Sequence, residues 1–380
     1  MTATHQAPPV ATAPRHRVLD VAPGLLIALL VAGFATVLGQ FLPIVGGPVF
    51  GILTGALLAV LVPALRHERW NTGYATAAKP VLQLSIVVLG TGLSLPEVLR
   101  VGSQSLPVML GTLAVALGGA WLFGRLLGVR GDAQILIGVG TGICGASAIA
   151  ATTGVIKAKQ TQVAYAIGTI FTFNIAAVLL FPVLGHLLGM SAHSFGLWSG
   201  TAINDTSSVV AAAYSFGGGA GAYAIVVKLT RSLMLIPIVI ALAIWQARKQ
   251  ARQAGLDGHT ATGTSAGRHS AGRHAVGRHG GVDEQVELAG LPWRKIVPLF
   301  LIGFVAAAGL DSLGLIPTAW HPGLSTLGTF LITTALAGIG LSMRLGDMRK
   351  AGPRPLLLGA VLWIAVAVTS LGLQAVTGTI

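Results

Sequence analysis

Lys228 and Arg231 lie three residues apart in "AIVVKLTRSLMLIPIVIAL" (224–242), and Asp205 lies in "TAINDTSSVV" (201–210). Both stretches fall within long apolar segments. Residues three apart on a helix share one face. An ionised group in hydrocarbon is costly even after relaxation, so each of these must pair, change its protonation state or hold an ion. A guanidinium donates two parallel hydrogen bonds to an oxyanion, which makes Arg231 with Lys228 a candidate anion site. Asp205 is the candidate for moving a proton or cation, and one of the two basic residues is its expected partner. Blander roles exist for each: the two cations could snorkel to the interface, and Asp205 could sit near the end of its span and fix a neighbouring helix.

Two stretches carry the polar backbone that such a site needs. "GVGTGICGASAIAATTG" (138–154) places Gly138, Gly140, Gly142 and Gly145 within eight residues and adds Thr141, Ser147, Thr152 and Thr153. Each glycine costs about 1 kcal/mol of helix propensity relative to alanine, so a broken helix is expected. Tight packing of small residues is the alternative. Thr141-Gly-Ile-Cys-Gly-Ala-Ser set over Thr201-Ala-Ile-Asn-Asp-Thr-Ser shares threonine, isoleucine, serine and small positions. Two discontinuous elements meeting at one site are therefore expected, lined by Gly142, Cys144, Gly145, Ser147, Thr201, Asn204 and Ser207. Half-helix N-termini attract anions there, and unwound carbonyls attract cations. Asn174, alone in "FTFNIAAVLLFP" (171–182), is either an interhelical hydrogen bond or a lining group.

These residues must be positioned by membrane-spanning helices. The chain has 380 residues, 53% of them hydrophobic and 9% charged, with 52 glycines. Its mean hydropathy is +0.80, far too apolar for a soluble chain of this length. An all-α integral membrane protein follows. About eleven segments have the roughly 20 apolar residues that a 30 Å core requires: 22–41, 47–65, 78–95, 105–127, 133–156, 163–188, 195–217, 222–246, 293–316, 323–343 and 355–377. A net charge of +13 could suggest nucleic acid, but the basic residues cluster in the short connections, as in loops facing anionic lipid, so no nucleic-acid partner is expected. Cys144 is the single cysteine, which excludes an internal disulfide and a cysteine-rich metal site.

Four regions result: a disordered tail over 1–20, spans one to eight over 21–246, a disordered Gly/Arg/His-rich loop over 247–292 and the last three spans over 293–380. The apolar run after Arg15 and Arg17 is too long for a cleaved signal core, so the first span is retained. Alternating the loops puts Arg15, Arg17, Arg66, Arg69, Lys79, Arg125, Arg130 and Arg344 to Arg354 on one side, with only Arg100, Lys157 and Lys159 opposite. With all eleven segments crossing, the positive-inside rule gives a cytoplasmic N-terminus and an external C-terminus; a re-entrant segment changes the count. Gly-Arg-His recurs at 267–269, 272–274 and 277–279. Those histidines are metal-capable in type, yet the Gly/Ala surroundings read as a solvated linker. "LGTGLSLPEVLRVG" (89–102) echoes "AGIGLSMRLGDMRKAG" (337–352), and the two segments have opposite orientations, as an inverted repeat requires. The same span count makes 138–154 and 201–210 parallel, in conflict with a simple inverted repeat.

"GTGICGASAIAA" (140–151), "FGLWSGTAINDTSSVVAAA" (195–213) and "VKLTRSLMLIPI" (227–238), in this order, closely resemble the bacterial sulfate-exporter family of the YeiH type, over about residues 20 to 380. The resemblance implies a secondary transporter of the cytoplasmic membrane, grouped with the bile-acid and arsenite transporter-like folds. In those folds inverted repeats and crossing broken helices build a central site. The chain departs from the family pattern at Asn204 and Ser208, where a histidine and a glutamine are frequent. Asn204 does not titrate, which leaves Asp205 as the candidate coupling group.

The expected function is secondary active transport of a small anion, sulfate or a related species, by alternating access. The family resemblance implies export. Proton coupling through Asp205 is expected, with a sodium-coupled importer of a small organic anion and a passive anion channel as alternatives. No Walker lysine motif, His-Glu-x-x-His or serine elbow is present, so no enzyme, cofactor or metal is expected. Membrane lipid is the surrounding partner, and a homodimer is an expectation from fold analogy alone.

Overall fold

A computed structural model describes residues 14–41, 46–260, 299–342 and 352–379. All regular structure among them is helical. The helices are α1 (Pro14–Phe41), α2 (Gly46–Leu61), α3 (Glu68–Thr76), α4 (Leu82–Gly90) and α5 (Leu95–Leu126). Next come α6 (Asp132–Gly142), α7 (Ala146–Ile156), α8 (Gln160–Leu187), α9 (Ala192–Ala202), α10 (Thr206–Phe216) and α11 (Ala220–Leu233). The chain closes with α12 (Leu235–Thr260), α13 (Leu299–Ser312), α14 (His321–Ser342) and α15 (Pro353–Thr377). A π turn over Ala77–Val81, containing Pro80, joins α3 to α4. Proline lacks the amide hydrogen and clashes with the preceding turn, and the wider turn accommodates it.

Packing divides the helices into two bundles. One holds α1 to α4 with α13 and α14; the other holds α5 to α12 with α15. In the first, α2 and α14 approach closely because small residues face each other: a Cβ on Gly55 would lie 2.6 Å from the Ala337 carbonyl oxygen. Lipid offers no hydrophobic drive between helices, so close backbone approach has to supply the association. The bundles join where Ser312 Oγ accepts the Leu95 amide and where Val210 and Ala211 of α10 pack with Ile52 of α2 and Ile332 of α14.

The second bundle is organised around two helical hairpins. Each of α6, α7, α9 and α10 has eleven residues, about 16 Å and half of a membrane core. The start of α6 meets the end of α7, where the Lys159 amide donates to Asp132 Oδ2 at 3.3 Å. The start of α9 likewise meets the end of α10, with the Phe195 and Phe216 rings stacked at 4.0 Å. Both segments therefore turn back at their breaks and leave at the end where they entered. The 28-residue α8 runs from the mouth of the first hairpin to the mouth of the second, so the two enter from opposite ends. Every boundary of the second hairpin falls sixty positions after the matching boundary of the first.

This corrects the span list. Segments 133–156 and 195–217 re-enter and do not cross, and among the other nine segments six helices of the described residues are long and apolar enough to span a membrane. The conflict over parallel motifs disappears, because hairpins from opposite ends are inverted. The echo partners α4 and α14 also pack antiparallel: Leu89 lies against Gly328, and Ala77 against Gly338. Two region boundaries move. Helix α1 begins at Pro14, inside the expected tail, and α12 continues to Thr260, inside the expected loop. Residues 1–13, the Gly-Arg-His repeats and 343–351 of the echo lie outside the described residues.

Candidate functional site: the junction of two hairpin tips

The first tip is Ile143, Cys144 and Gly145; the second is Ile203, Asn204 and Asp205. Gly145 has φ +63°, a conformation that side-chain-bearing residues rarely adopt. A Cβ there would come within 3.3 Å of Asp205 Cβ, so the tips touch. Broken helices leave carbonyls at the ends of α6 and α9 and amides at the starts of α7 and α10 without intrahelical partners. Such backbone is tolerated at membrane depth only where protein or a hydrated cavity encloses it.

Lys228 and Arg231, from α11, satisfy the carbonyls. Lys228 Nζ donates to the Ile143 oxygen at 2.7 Å and to the Ile203 oxygen at 2.9 Å. Arg231 donates from Nε to Gly142 at 2.8 Å, from Nη2 to Thr141 at 3.0 Å and from Nη1 to the Thr201 carbonyl. Both side chains are fully buried, which removes the snorkelling alternative. Thr141 with Thr201 and Ile143 with Ile203 are the pairs aligned in the sequence. The two cations read equivalent atoms of the two hairpins.

Asp205 does not pair with either cation. Among the described residues the salt bridge formed is His321 with Asp311, far from the tips in sequence. The Asp205 carboxylate instead caps α10: Oδ2 accepts the Ser207 amide at 3.1 Å and also the Ser207 hydroxyl. A carboxylate is among the best N-caps because it accepts an orphan amide at the positive end of the helix dipole. Its own amide donates to Asn174 Oδ1 at 3.3 Å, so Asn174, midway along α8, holds the second tip in place. The expected ion pair is thus replaced by two separate devices, because carbonyls of the broken helices lie closer to the cations than the aspartate does.

The remaining candidates divide by exposure. Cys144 is a buried free thiol and packs among Leu113, Val139 and Ala148. Thr201 is fully buried, its hydroxyl 2.7 Å from Ser370 Oγ on α15. Gln374 donates to Ser370 in turn, extending this link away from the tip. Ser370 and Gln374 are absent from the sequence-based candidates, because lone polar residues in a late span carry no motif. Asn204 is 1% exposed, and its Oδ1 has no hydrogen-bond partner. Ser147, by contrast, is exposed, and Asp205, Thr206, Ser207 and Ser208 are partly so. Gly145, the N-cap residue of α7, has no side chain to cap it. The exposed or partly exposed polar side chains at the junction are therefore the hydroxyls of Ser147, Thr206, Ser207 and Ser208 and the Asp205 carboxylate, while both cations are fully buried.

A helical membrane protein in which two re-entrant hairpins meet tip to tip, stapled by buried cations, is the class that fold and site define. The chain matches the family described as conserved hypothetical protein 698 over residues 23–262 and 280–359, and it belongs to that family. It is 38% identical to a UPF0324 membrane protein of Streptococcus pneumoniae, over 93% of this chain and 97% of that protein. A UPF0324 membrane protein of Streptococcus pyogenes is 39% identical over 93% of this chain and 96% of its own length. One from Streptococcus agalactiae is 36% identical over 94% and 98%.

Proposed function

We propose that this protein is a secondary active transporter that moves a small anion, sulfate or a species of similar charge, through the tip junction by alternating access. The observation that carries the reading is the pair of fully buried cations at the meeting point of two inverted hairpins. Lys228 and Arg231 each bring one positive charge and Asp205 one negative, while the two half-helix N-termini and two C-termini offset one another at about half a charge each. With Asp205 ionised the junction carries about +1, and with Asp205 protonated about +2. A net positive, partly dehydrated site selects an anion. The groups placed to touch it are Ser147, the open amides of α7, and Thr206, Ser207 and Ser208.

Protonation of Asp205 strengthens the site for a dianion, which links proton and anion movement through electrostatics alone. Orientation follows the same charges. With α6 and α7 re-entering, Lys157 and Lys159 join Arg125, Arg130 and Arg354 at the first hairpin's end, leaving Arg100 as the lone described cation near the other. The positive-inside rule then assigns the first hairpin to the cytoplasmic end of a bacterial inner membrane, with an external C-terminus.

The unpartnered Asn204 Oδ1 supports one competing reading, a sodium ligand in a cation-coupled importer. Flux of labelled sulfate in proteoliposomes, under separately imposed proton and sodium gradients, decides between them. Acceleration by the proton gradient, lost in Asp205→Asn, is expected. Acceleration by sodium alone sinks the proton assignment, and absence of flux for sulfate and related oxyanions sinks the anion assignment.

A further inference from the structure

We infer that the Lys228 ammonium is a tethered occupant of a monovalent-cation site built from the backbone of the two hairpin tips. Ile143 and Ile203 are the C-caps of α6 and α9, so their carbonyls stand at the negative ends of two half-helix dipoles. Those ends face one another at the tip contact, and their mutual repulsion needs a cation between them. Lys228 Nζ supplies it, with oxygens at 2.7 and 2.9 Å, one from each hairpin. Asn204, next to Ile203, adds a buried side-chain oxygen without a partner. Among the described residues no carboxylate lies within ion-pair distance of Lys228. An ammonium held by uncharged oxygens from two unwound helix ends has the surroundings that carbonyl sites elsewhere offer to sodium or potassium.

Two consequences follow. The two C-cap carbonyls already have a cation between them, so neither sodium nor potassium is needed to hold the tips together. Shortening Lys228 to alanine empties the site without removing its oxygens, and a small monovalent cation then binds there. The first consequence bears on coupling only if the tip junction is the transport site, whereas the second is measured on the purified protein with no transport at all.

The test is thermal unfolding of detergent-purified wild type and Lys228→Ala in choline, sodium and propylammonium chloride at equal ionic strength. Propylammonium matches the atoms removed, and choline is too bulky to enter. Wild type is expected to unfold at the same temperature in all three salts. Lys228→Ala is expected to unfold about 5 °C lower or more in choline, because buried carbonyls lose their donor. Propylammonium should restore at least about half of that loss in a saturable manner, and sodium a smaller share. A variant as stable as wild type in choline, or one that no cation restores beyond the shift seen for wild type, overturns the inference. If Lys228→Ala does not accumulate, the same comparison is read as yield of monodisperse protein with and without propylammonium during expression and solubilisation; failure of recovery overturns it equally. Rescue without any anion flux would leave this inference standing and remove the transport reading.

Discussion

The two hairpins share a plan and differ in what covers them. On α7, Ser147, Ala150 and Gly154 are exposed and Thr153 is partly so, a stripe from the tip to the mouth of the first hairpin. The matching positions on α10 are Ser207 and Tyr214, both partly buried, and Val210 and Ala213, both fully buried. Helices α2 and α14 pack on α10, whereas α12 packs on α7 through Leu235 and Val239 against Ala148 and Ala151 and leaves that stripe uncovered. Tip chemistry differs too. Cys144 and Gly145 of the first tip offer no carboxylate, whereas Asp205 of the second supplies both the N-cap of α10 and the one acidic group of the junction. Symmetry of backbone thus coexists with asymmetry of exposure and charge.

The largest effect that could break this comparison is removal of the staple. Arg231→Ala leaves carbonyls of both tips without donors, and a loss of about 3 kcal/mol or more is expected. It is read as failure to purify a monodisperse protein or as a steep fall in unfolding temperature; near wild-type stability would show that the tips hold together without it. Next is Asp205→Asn. Asparagine caps α10 about as well as aspartate, so the unfolding temperature should stay within a few degrees, while flux falls by about tenfold or more and loses its dependence on the proton gradient. Retained gradient dependence would place coupling elsewhere.

Labelling sharpens the asymmetry of access. In a Cys144→Ala background, Ala150→Cys should react with a membrane-impermeant maleimide from the first hairpin's end, and Val210→Cys should not. Equal reactivity of the two would erase the distinction. The smallest expected effect is that of Ser370→Ala, which cuts the link from Thr201 to α15 and should cost about 1 kcal/mol, seen as a fall of about 2–4 °C. A larger fall would mean that the second tip depends on α15 more than on Asn174.

Much of the arrangement was legible beforehand because it is written in composition. Hydropathy placed the helices; clustered glycines with hydroxyls marked the first break, and an aspartate, an asparagine and hydroxyls in hydrocarbon marked the second. Lys228, Arg231, Asp205 and Asn174 stood out as polar groups in hydrocarbon, and all four converge on the tips. The partners did not follow. Charge alone pairs Asp205 with a cation, yet helix ends carry partial charge that no residue letter displays, and the carbonyls took both cations. Crossing versus re-entry stays open in the sequence, although one signal bears on it: placing Lys157 and Lys159 on the side of Arg125 and Arg130 improves the charge asymmetry.

The sequence by itself determined that this chain is a helical membrane protein, where its helices break and which few polar residues must have partners, since those follow from transfer costs local to each segment. Only the tertiary structure decided that the broken segments turn back, that they meet tip to tip from opposite ends and that Lys228 and Arg231 bind backbone. Those outcomes depend on which orphan groups lie within about 3 Å of one another, and distance between segments eighty residues apart is set by packing and not by spacing along the chain.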